Sequence, residues 1–529
     1  MSTRNQSNRD PISEGAVAHP CGTGVGATRA AAATALRQRL IVVLLTSVGL
    51  FACANVENPV SGRVERSVMT EQDEVAEGAK QHQLVLAEYG ALKDSRLQAY
   101  VNDIGQRLAR NSQRPNLPWH FTVLDSPEVN AFALPGGYIY VTRGIMAYMD
   151  SEADLAGVIG HEIGHVTARH SAQRATRQQN AGIGVLAATV LGAVLESRGV
   201  GGAGNVASQL SQNVAAGYIA SYSREQELQA DKLGADYLAK TSYNPQNMVD
   251  VIQLLKNQER FAADTARAQG RSTRERTSWL ASHPSNDQRL QEISATVAQF
   301  RGRYSDDGRA RYLQAINGIA YGDSREQGVT RGRDFYHEPL GFALTAPPGW
   351  TVQNASDSLT LANPQGDAGL VVHAVPAQVG NDHDEILRRL LRADQGRTER
   401  RAINGMAATH FVGTTRNSQG QSQPVEATIV SGPGGRAYVF LYAARDAQAL
   451  QRSQREMREA ESSFRALNAA DRAAARPWQL RTVSYPRGGF AQLARQSPLA
   501  ANAEQQLRLL NGVFNGGDPQ PGQLVKVVE

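Results

Sequence analysis

From Met69 to Ser112 apolar residues return every three or four positions, which predicts two amphipathic helices; Leu97, Tyr100, Val101, Ile104 and Leu108 mark the second. Pro115-Asn116-Leu117-Pro118 ends that pattern. Alternation follows over 119–124 and again over 138–142, predicting two strands joined through the turn-rich Pro135-Gly136-Gly137. A long helix is predicted from Ser151, with Asp154 completing a capping box, through to about Arg177. Residues 181–217 are rich in Ala, Gly and Val. Their apolar part, 181–195, is short for a membrane span and reads as a helix near the functional site or a flap. A further helix covers Glu225 to Ala239, and helical texture continues to about Arg303.

Beyond Gly332 the texture changes to short strands between turns, over 342–345, 350–352, 358–361 and 369–373. A helix at 384–394 and strands near 406–413, 424–431 and 437–443 complete a second region. A third begins at about Trp478. The chain is therefore α+β. A mainly helical domain with a small antiparallel sheet covers 54–330, a separate α+β domain covers 333–470, and a small module covers 478–529.

Length supports this division, because 529 residues exceed what one core holds. A hydrophobic fraction of 41% with 20% charged residues is that of an ordinary globular protein. The net charge of +5 is spread without a polybasic block, which points away from nucleic acid as a partner. Only two cysteines occur, Cys21 and Cys53, both ahead of the folded part, so any metal must be held by His, Asp and Glu. Arg37 and Arg39 precede an apolar run from Leu40 to Ala52 that is too short to cross a bilayer and reads as a signal peptide. Its end, Leu50-Phe51-Ala52-Cys53, resembles the lipobox of bacterial lipoproteins, with Phe51 as a departure. That resemblance makes 1–53 a leader, Cys53 a lipidation site and the periplasmic face of the outer membrane the expected location.

The chemistry concentrates in His161-Glu162-Ile163-Gly164-His165. Two histidines four apart on a helix lie on one face and can reach one ion at about 2.0–2.1 Å. Glu162 lies about 100° round the helix, where it can hold the attacking water without ligating the metal. A catalytic zinc needs a third protein ligand. Glu227 in Ser223-Arg224-Glu225-Gln226-Glu227-Leu228-Gln229-Ala230-Asp231 is the best candidate. Asp231, four residues on, would orient a ligand histidine. His170 is about 140° off the metal face if the helix continues, and so is not expected to ligate. His82, His120 and His373 have no clustered partners, whereas His283 is held in an extended turn by Pro284.

Several of these segments recur together. Leu97-Gln98-Ala99-Tyr100-Val101, Val129 to Gly137, His161 to His165, Glu227 to Asp231 and His283-Pro284 resemble, in order, the HtpX-like and CAAX-endopeptidase-like gluzincin family. The match is to its soluble periplasmic, BepA-like branch, over Met69 to Arg289. The resemblance implies His161, His165 and Glu227 as zinc ligands and Glu162 as general base. Asp231 becomes the partner of a ligand histidine. His283 becomes a residue able to occupy the open zinc position and hold the enzyme latent, and Arg289 one near the substrate or oxyanion. Asn130 and Ala131 match the start of an edge strand that binds substrate backbone. The implied substrates are unfolded or misassembled envelope proteins. The alternative is an envelope chaperone or scaffold with a latent zinc site. Residues 478–529 resemble a degenerate LysM module, a binder of cell-wall glycan, whose usual start is replaced by Pro486-Arg487-Gly488-Gly489.

Overall fold

The computed structural model describes residues 54–180, 222–268, 283, 287–304, 306–355, 357–416, 422–499 and 502–529. Cys53 and the leader, the helix or flap expected at 181–217, and Pro284 lie outside the described residues. The architecture is α+β. A hairpin of β1 (Ala54–Glu57) and β2 (Val64–Ser67) leads into α1 (Glu71–Tyr89) and α2 (Ser95–Arg110), the two amphipathic helices that the spacing predicts. Strands β3 (His120–Leu124), β4 (Ala131–Leu134) and β5 (Tyr138–Thr142) form a small sheet in the order β3-β5-β4. In it β3 runs parallel to β5 and β4 antiparallel to it. The Pro135-Gly136-Gly137 turn therefore joins β4 to β5 and not the two predicted strands to each other. Alternation marks which segments are strands but not how they pair.

After the short helix α3 (Arg143–Tyr148) comes α4 (Glu152–Thr167), the central helix of this part. The Ser151 hydroxyl accepts from Asp154 N–H and the Asp154 carboxylate accepts from Ser151 N–H, closing the predicted capping box. Every residue of α4 is buried, as its near-continuous apolar sequence requires. The helix stops ten residues before the expected end. Arg169 adopts a left-handed φ of 59° while its guanidinium reaches Glu74 Oε1 at 2.9 Å and the Met69 carbonyl at 2.7 Å. A separate helix, α5 (His170–Asn180), then starts in a new direction.

Helices α6 (Arg224–Lys240), α7 (Gln246–Ala268), α8 (Asp287–Val297) and α9 (Arg309–Ile316) complete the helical part. Small residues bring α4 and α6 together. A Cβ built on Gly164 would stand 3.0 Å from Ala230 Cα, and one on Gly234 would stand 3.1 Å from the His161 nitrogen. Larger side chains on these faces would force the two helices apart.

The second region begins with β6 (Ala320–Tyr321), β7 (Val329–Arg331), β8 (Asp334–His337) and β9 (Phe342–Thr345). A seven-stranded antiparallel sheet follows. It contains β10 (Thr351–Asn354), β11 (Leu359–Ala362), β12 (Ala368–Ala374), β13 (Ala393–Ile403), β14 (Met406–Arg416), β15 (Ser422–Ser431) and β16 (Ala437–Ala444), in the order β10-β11-β12-β16-β15-β14-β13. Helix α10 (His383–Arg389) covers one apolar face through Ile386 and Leu387. Helix α11 (Ala447–Ser462) covers the other through Ala449, Met457 and Ala460. The helix expected over 384–394 is thus shorter, and its end belongs to β13, a strand so polar and exposed that no apolar alternation signals it. Helix α11 escapes the periodicity test because its buried stripe includes Ala and Ser453 beside a single Met.

The chain's last segment returns to the first region. After β17 (Arg465–Ala466), which pairs with β9, strand β18 (Trp478–Ser484) pairs with β6 and with β19 (Leu524–Val528), and Leu480, Phe490, Leu507 and Val525 share one hydrophobic core with α2, α4 and α7. Buried Lys526 donates to the carbonyls of Ala147 at 3.1 Å and Met149 at 2.6 Å, just ahead of α4. Among the described residues no helix is long and apolar enough to cross a membrane.

Candidate metal centre

Because α4 and α6 lie so close, Glu227 faces both histidines of α4, and residue 283 closes over them. His165 Nε2 lies 3.0 Å from His161 Nε2, and His283 Nδ1 lies 3.1 Å from that same atom. Glu227 Oε1 is 3.0 Å from His283 Nδ1 and 3.3 Å from His165 Nε2. These four side chains are buried and offer ligand atoms that all lie within 4.8 Å of one another. Donors at about 2.0–2.1 Å from a tetrahedral ion stand about 3.3 Å apart. The observed spacings fit that polyhedron. Glu162 Oε1 lies 3.4 Å from His283 Nε2.

Proton placement gives a second test of fit. An ionised carboxylate can only accept, so His161 Nδ1 donates to Asp231 Oδ1 at 2.8 Å, and His161 Nε2 is left as a lone pair pointing at the cluster. Burial drives His165 well below the ordinary imidazole range and keeps it neutral. Burial works against the charge of Glu227, but His283 and Arg289 hold it well below the usual carboxylate range. His283 is also disfavoured as a cation by burial, yet Glu227 and Glu162 outweigh this and raise its affinity for a proton. Lone pairs and a carboxylate converging among buried side chains are the donor set for a cation, and the residues fit a metal ion.

Arg289, expected near the substrate or oxyanion, lies beside the cluster. Its guanidinium grips Asp231 through Nε at 2.6 Å and Nη2 at 2.8 Å, and Nη1 reaches Glu227 Oε2 at 2.8 Å and the His283 carbonyl at 3.1 Å. It stands behind the ligand side chains and neutralises them, buried to 3% exposure. Asn130 and Ala131 do lie at the start of β4, which is an edge strand of its sheet, but both are buried. The three histidines read as structural stay outside the cluster. His82 Nδ1 bonds the Tyr140 hydroxyl at 2.7 Å, His120 stacks on Tyr138, and His373 Nδ1 bonds the Asp357 carbonyl at 3.0 Å.

Three residues near the centre were not singled out by sequence as part of it. Tyr222 stacks on His165 with ring centroids 3.8 Å apart. His170, turned by the break at Arg169, brings Nδ1 to 2.9 Å from His165 Nδ1 and Nε2 to 3.0 Å from Gln229 Oε1. Burial lowers His170 to about 4, so it too is neutral at physiological pH. The signal that could have found it was the end of α4, which no Gly or Pro marks.

Comparison with known proteins places this arrangement. Residues 95–297 match Peptidase family M48. The chain is 27% identical over 256 residues to the beta-barrel assembly-enhancing protease of Yersinia pestis, covering 44% of this chain and 49% of that protein. With the protein of that name from Escherichia coli (strain K12) the identity is 26% over 241 residues, covering 45% and 46%. The mitochondrial metalloendopeptidase OMA1 of Arabidopsis thaliana is 34% identical over 147 residues, 28% of each chain. This chain thus spans about half the length of the first two relatives. Among solved structures, cyanobacterial PsbP from Synechocystis sp. PCC 6803 is 14% identical with a TM-score of 0.20, covering 28% of this chain and 98% of that one. The buried His/Glu centre lies inside the segment, residues 95–297, that matches Peptidase family M48.

Proposed function

We propose that this protein is a zinc-dependent endopeptidase of the cell envelope, with His161, His165 and Glu227 as zinc ligands and Glu162 as general base. The observation that carries the reading is the convergence of three ligand atoms from α4 and α6 beside a second buried carboxylate, within a Peptidase family M48 segment. When bound, zinc supplies Lewis acidity to the peptide carbonyl and lowers the pKa of water. The chain's own residues do the rest. Glu162 takes the proton of the attacking water at a carboxylate oxygen and delivers it to the leaving amine. Asp231 holds His161 in its ligating tautomer, and Arg289 balances the charge of Asp231 and Glu227. Unfolded or misassembled envelope proteins are the proposed substrates. The names of the two bacterial relatives and the export-type leader support this, and the same leader supports a lipid anchor at Cys53 in the outer membrane.

Replacing Glu162 with Gln should lower casein cleavage by about 10²–10⁴-fold while the zinc content stays at one per chain. Undiminished cleavage by that variant would sink the assignment. A second reading, an envelope chaperone with a latent site, draws support from His283. Its Nδ1 completes a four-donor shell, and the β4 residues proposed to receive substrate are buried. His283→Ala separates the two. Cleavage rises if His283 is a lock on a working enzyme and falls if it serves the reaction. If neither protein cleaves any unfolded substrate, the chaperone reading takes over.

A further inference from the structure

The two histidines of α4 are backed by different chemistry. Behind His161 stands a carboxylate, Asp231. Behind His165 stands a second imidazole, His170, and behind that the side-chain amide of Gln229. We infer that His170 and Gln229 are positioning residues that accept hydrogen bonds in series and so hold His165 in the tautomer whose Nε2 lone pair faces the metal. This rests on the zinc reading above and extends it to residues outside the ligand set.

Two imidazole nitrogens 2.9 Å apart share one hydrogen, so one donates and the other accepts. At the far end the Gln229 carbonyl oxygen, 3.0 Å from His170 Nε2, can only accept. His170 therefore carries its hydrogen on Nε2 and offers a lone pair at Nδ1. His165 Nδ1 must then donate, and its Nε2 is bare, 3.0 Å from the bare Nε2 of His161. His170 is fully buried, and its bond to His165 is buried on both sides, so water does not compete for that bond. Tyr222, stacked 25° from the plane of His165, fixes the ring in which the choice is made.

Gln229 also shows how the choice can be altered. Its amide has an acceptor and a donor end. Turned over, the NH2 group would donate to His170 Nε2, the series would run backwards, and His165 Nε2 would carry the hydrogen and could not ligate. A carboxylate at this position has no donor end. Gln229→Glu should therefore lock the ligating direction, making the support of His165 resemble that of His161.

The test uses the full chain and zinc alone. Affinity is read by competition with a chromophoric chelator, and the hydrogen on His165 is located by ¹⁵N NMR of histidine-labelled, zinc-loaded protein. His170→Leu should weaken zinc binding by about tenfold or more. His170→Asn places an amide oxygen where Nδ1 was and should stay within about threefold of the parent. Gln229→Glu should tighten binding by about threefold in the parent and do nothing when His170 is Leu. The NMR should place the His165 hydrogen on Nδ1.

Unchanged affinity in His170→Leu overturns the inference, as does equal weakening by Leu and Asn or a His165 hydrogen found on Nε2. An effect of Gln229→Glu that persists in the Leu background also overturns it, because it would then be charge alone. If His170→Leu does not fold, Gln229→Leu on the half-buried face of α6 decides, by weakening zinc or leaving it unmoved. A parent chain that takes up no zinc defeats the zinc reading itself. A parent that binds zinc with indifferent variants defeats only this inference.

Discussion

The candidate metal centre and the interior of the seven-stranded sheet both bury histidines, and they treat them differently. In the sheet, His383 Nδ1 meets the Thr409 hydroxyl at 2.7 Å and Nε2 meets the Ser431 hydroxyl at 2.9 Å. His410 Nδ1 lies 2.9 Å from the Thr428 hydroxyl and 3.0 Å from Arg401 Nη2. A hydroxyl can give or take a hydrogen, so His383 is satisfied in either tautomer, whereas at His410 the Arg401 guanidinium can only donate and Nδ1 accepts. At the centre, nitrogens face nitrogens and a carboxylate among the described residues. A buried histidine is thus not in itself a sign of chemistry. Lone pairs that converge without hydrogens to separate them are such a sign, because only a cation or a proton can hold them together.

That contrast can be broken most directly by removing a converging atom. His161→Ala should weaken zinc by at least about 100-fold and abolish the rise in melting temperature that zinc gives the parent. His383→Leu, in the sheet, should leave both unchanged. A zinc-dependent rise that survives His161→Ala would place the ion elsewhere.

Arg289 offers the next largest effect, because it balances two buried carboxylates. Arg289→Met should cost about 3–5 kcal/mol of unfolding free energy in metal-free protein. The loss should be smaller with zinc bound, since the ion then offsets Glu227. Denaturant titrations with and without chelator would show whether the two losses differ.

Within the sheet, His383→Leu strands two hydroxyls and should cost about 1–3 kcal/mol, with zinc affinity untouched. A parallel fall in zinc affinity would mean that the two regions are coupled, contrary to the comparison.

The smallest effect concerns the return of the C-terminal segment. Burial pushes the Lys526 ammonium from 10.5 down to about 8, against the opposing pull of Asp150. Between those values the unfolded chain binds this proton and the folded one does not, so stability rises with pH from about 8 upward. Lys526→Met should flatten that rise, as measured by urea midpoints between pH 8 and 10. An identical slope in the variant would exclude Lys526 as its source.

Much of the site is legible in the order of residues because its parts obey local rules. The capping box at Ser151 and Asp154, the four-residue spacing of His161 and His165, and that of Glu227 and Asp231 are helix geometry, readable one turn at a time. The alternating segments of β3, β5, β12, β15 and β16 are likewise local. What fails is structure whose cause lies elsewhere in the chain. Helix α4 ends at Thr167 because Arg169 is drawn to Glu74, 95 residues earlier, and that turn is what sends His170 behind His165. The resemblance puts Arg289 near the substrate or oxyanion, but it cannot show that two carboxylates on α6 hold its guanidinium. The last fifty residues look like a separate module until β18 pairs with β6 and Lys526 caps the chain ahead of α4.

The sequence by itself thus determines the metal-binding helix, the residue types that could ligate and the α+β texture, since each follows from periodicity and side-chain chemistry over a few turns. Tertiary structure alone decides which nitrogen of each histidine faces inward, what stands behind it and how close the fourth donor comes. Those depend on distances between segments up to 122 residues apart, set by the glycine-lined approach of α4 to α6 and by burial that leaves each hydrogen one place to go.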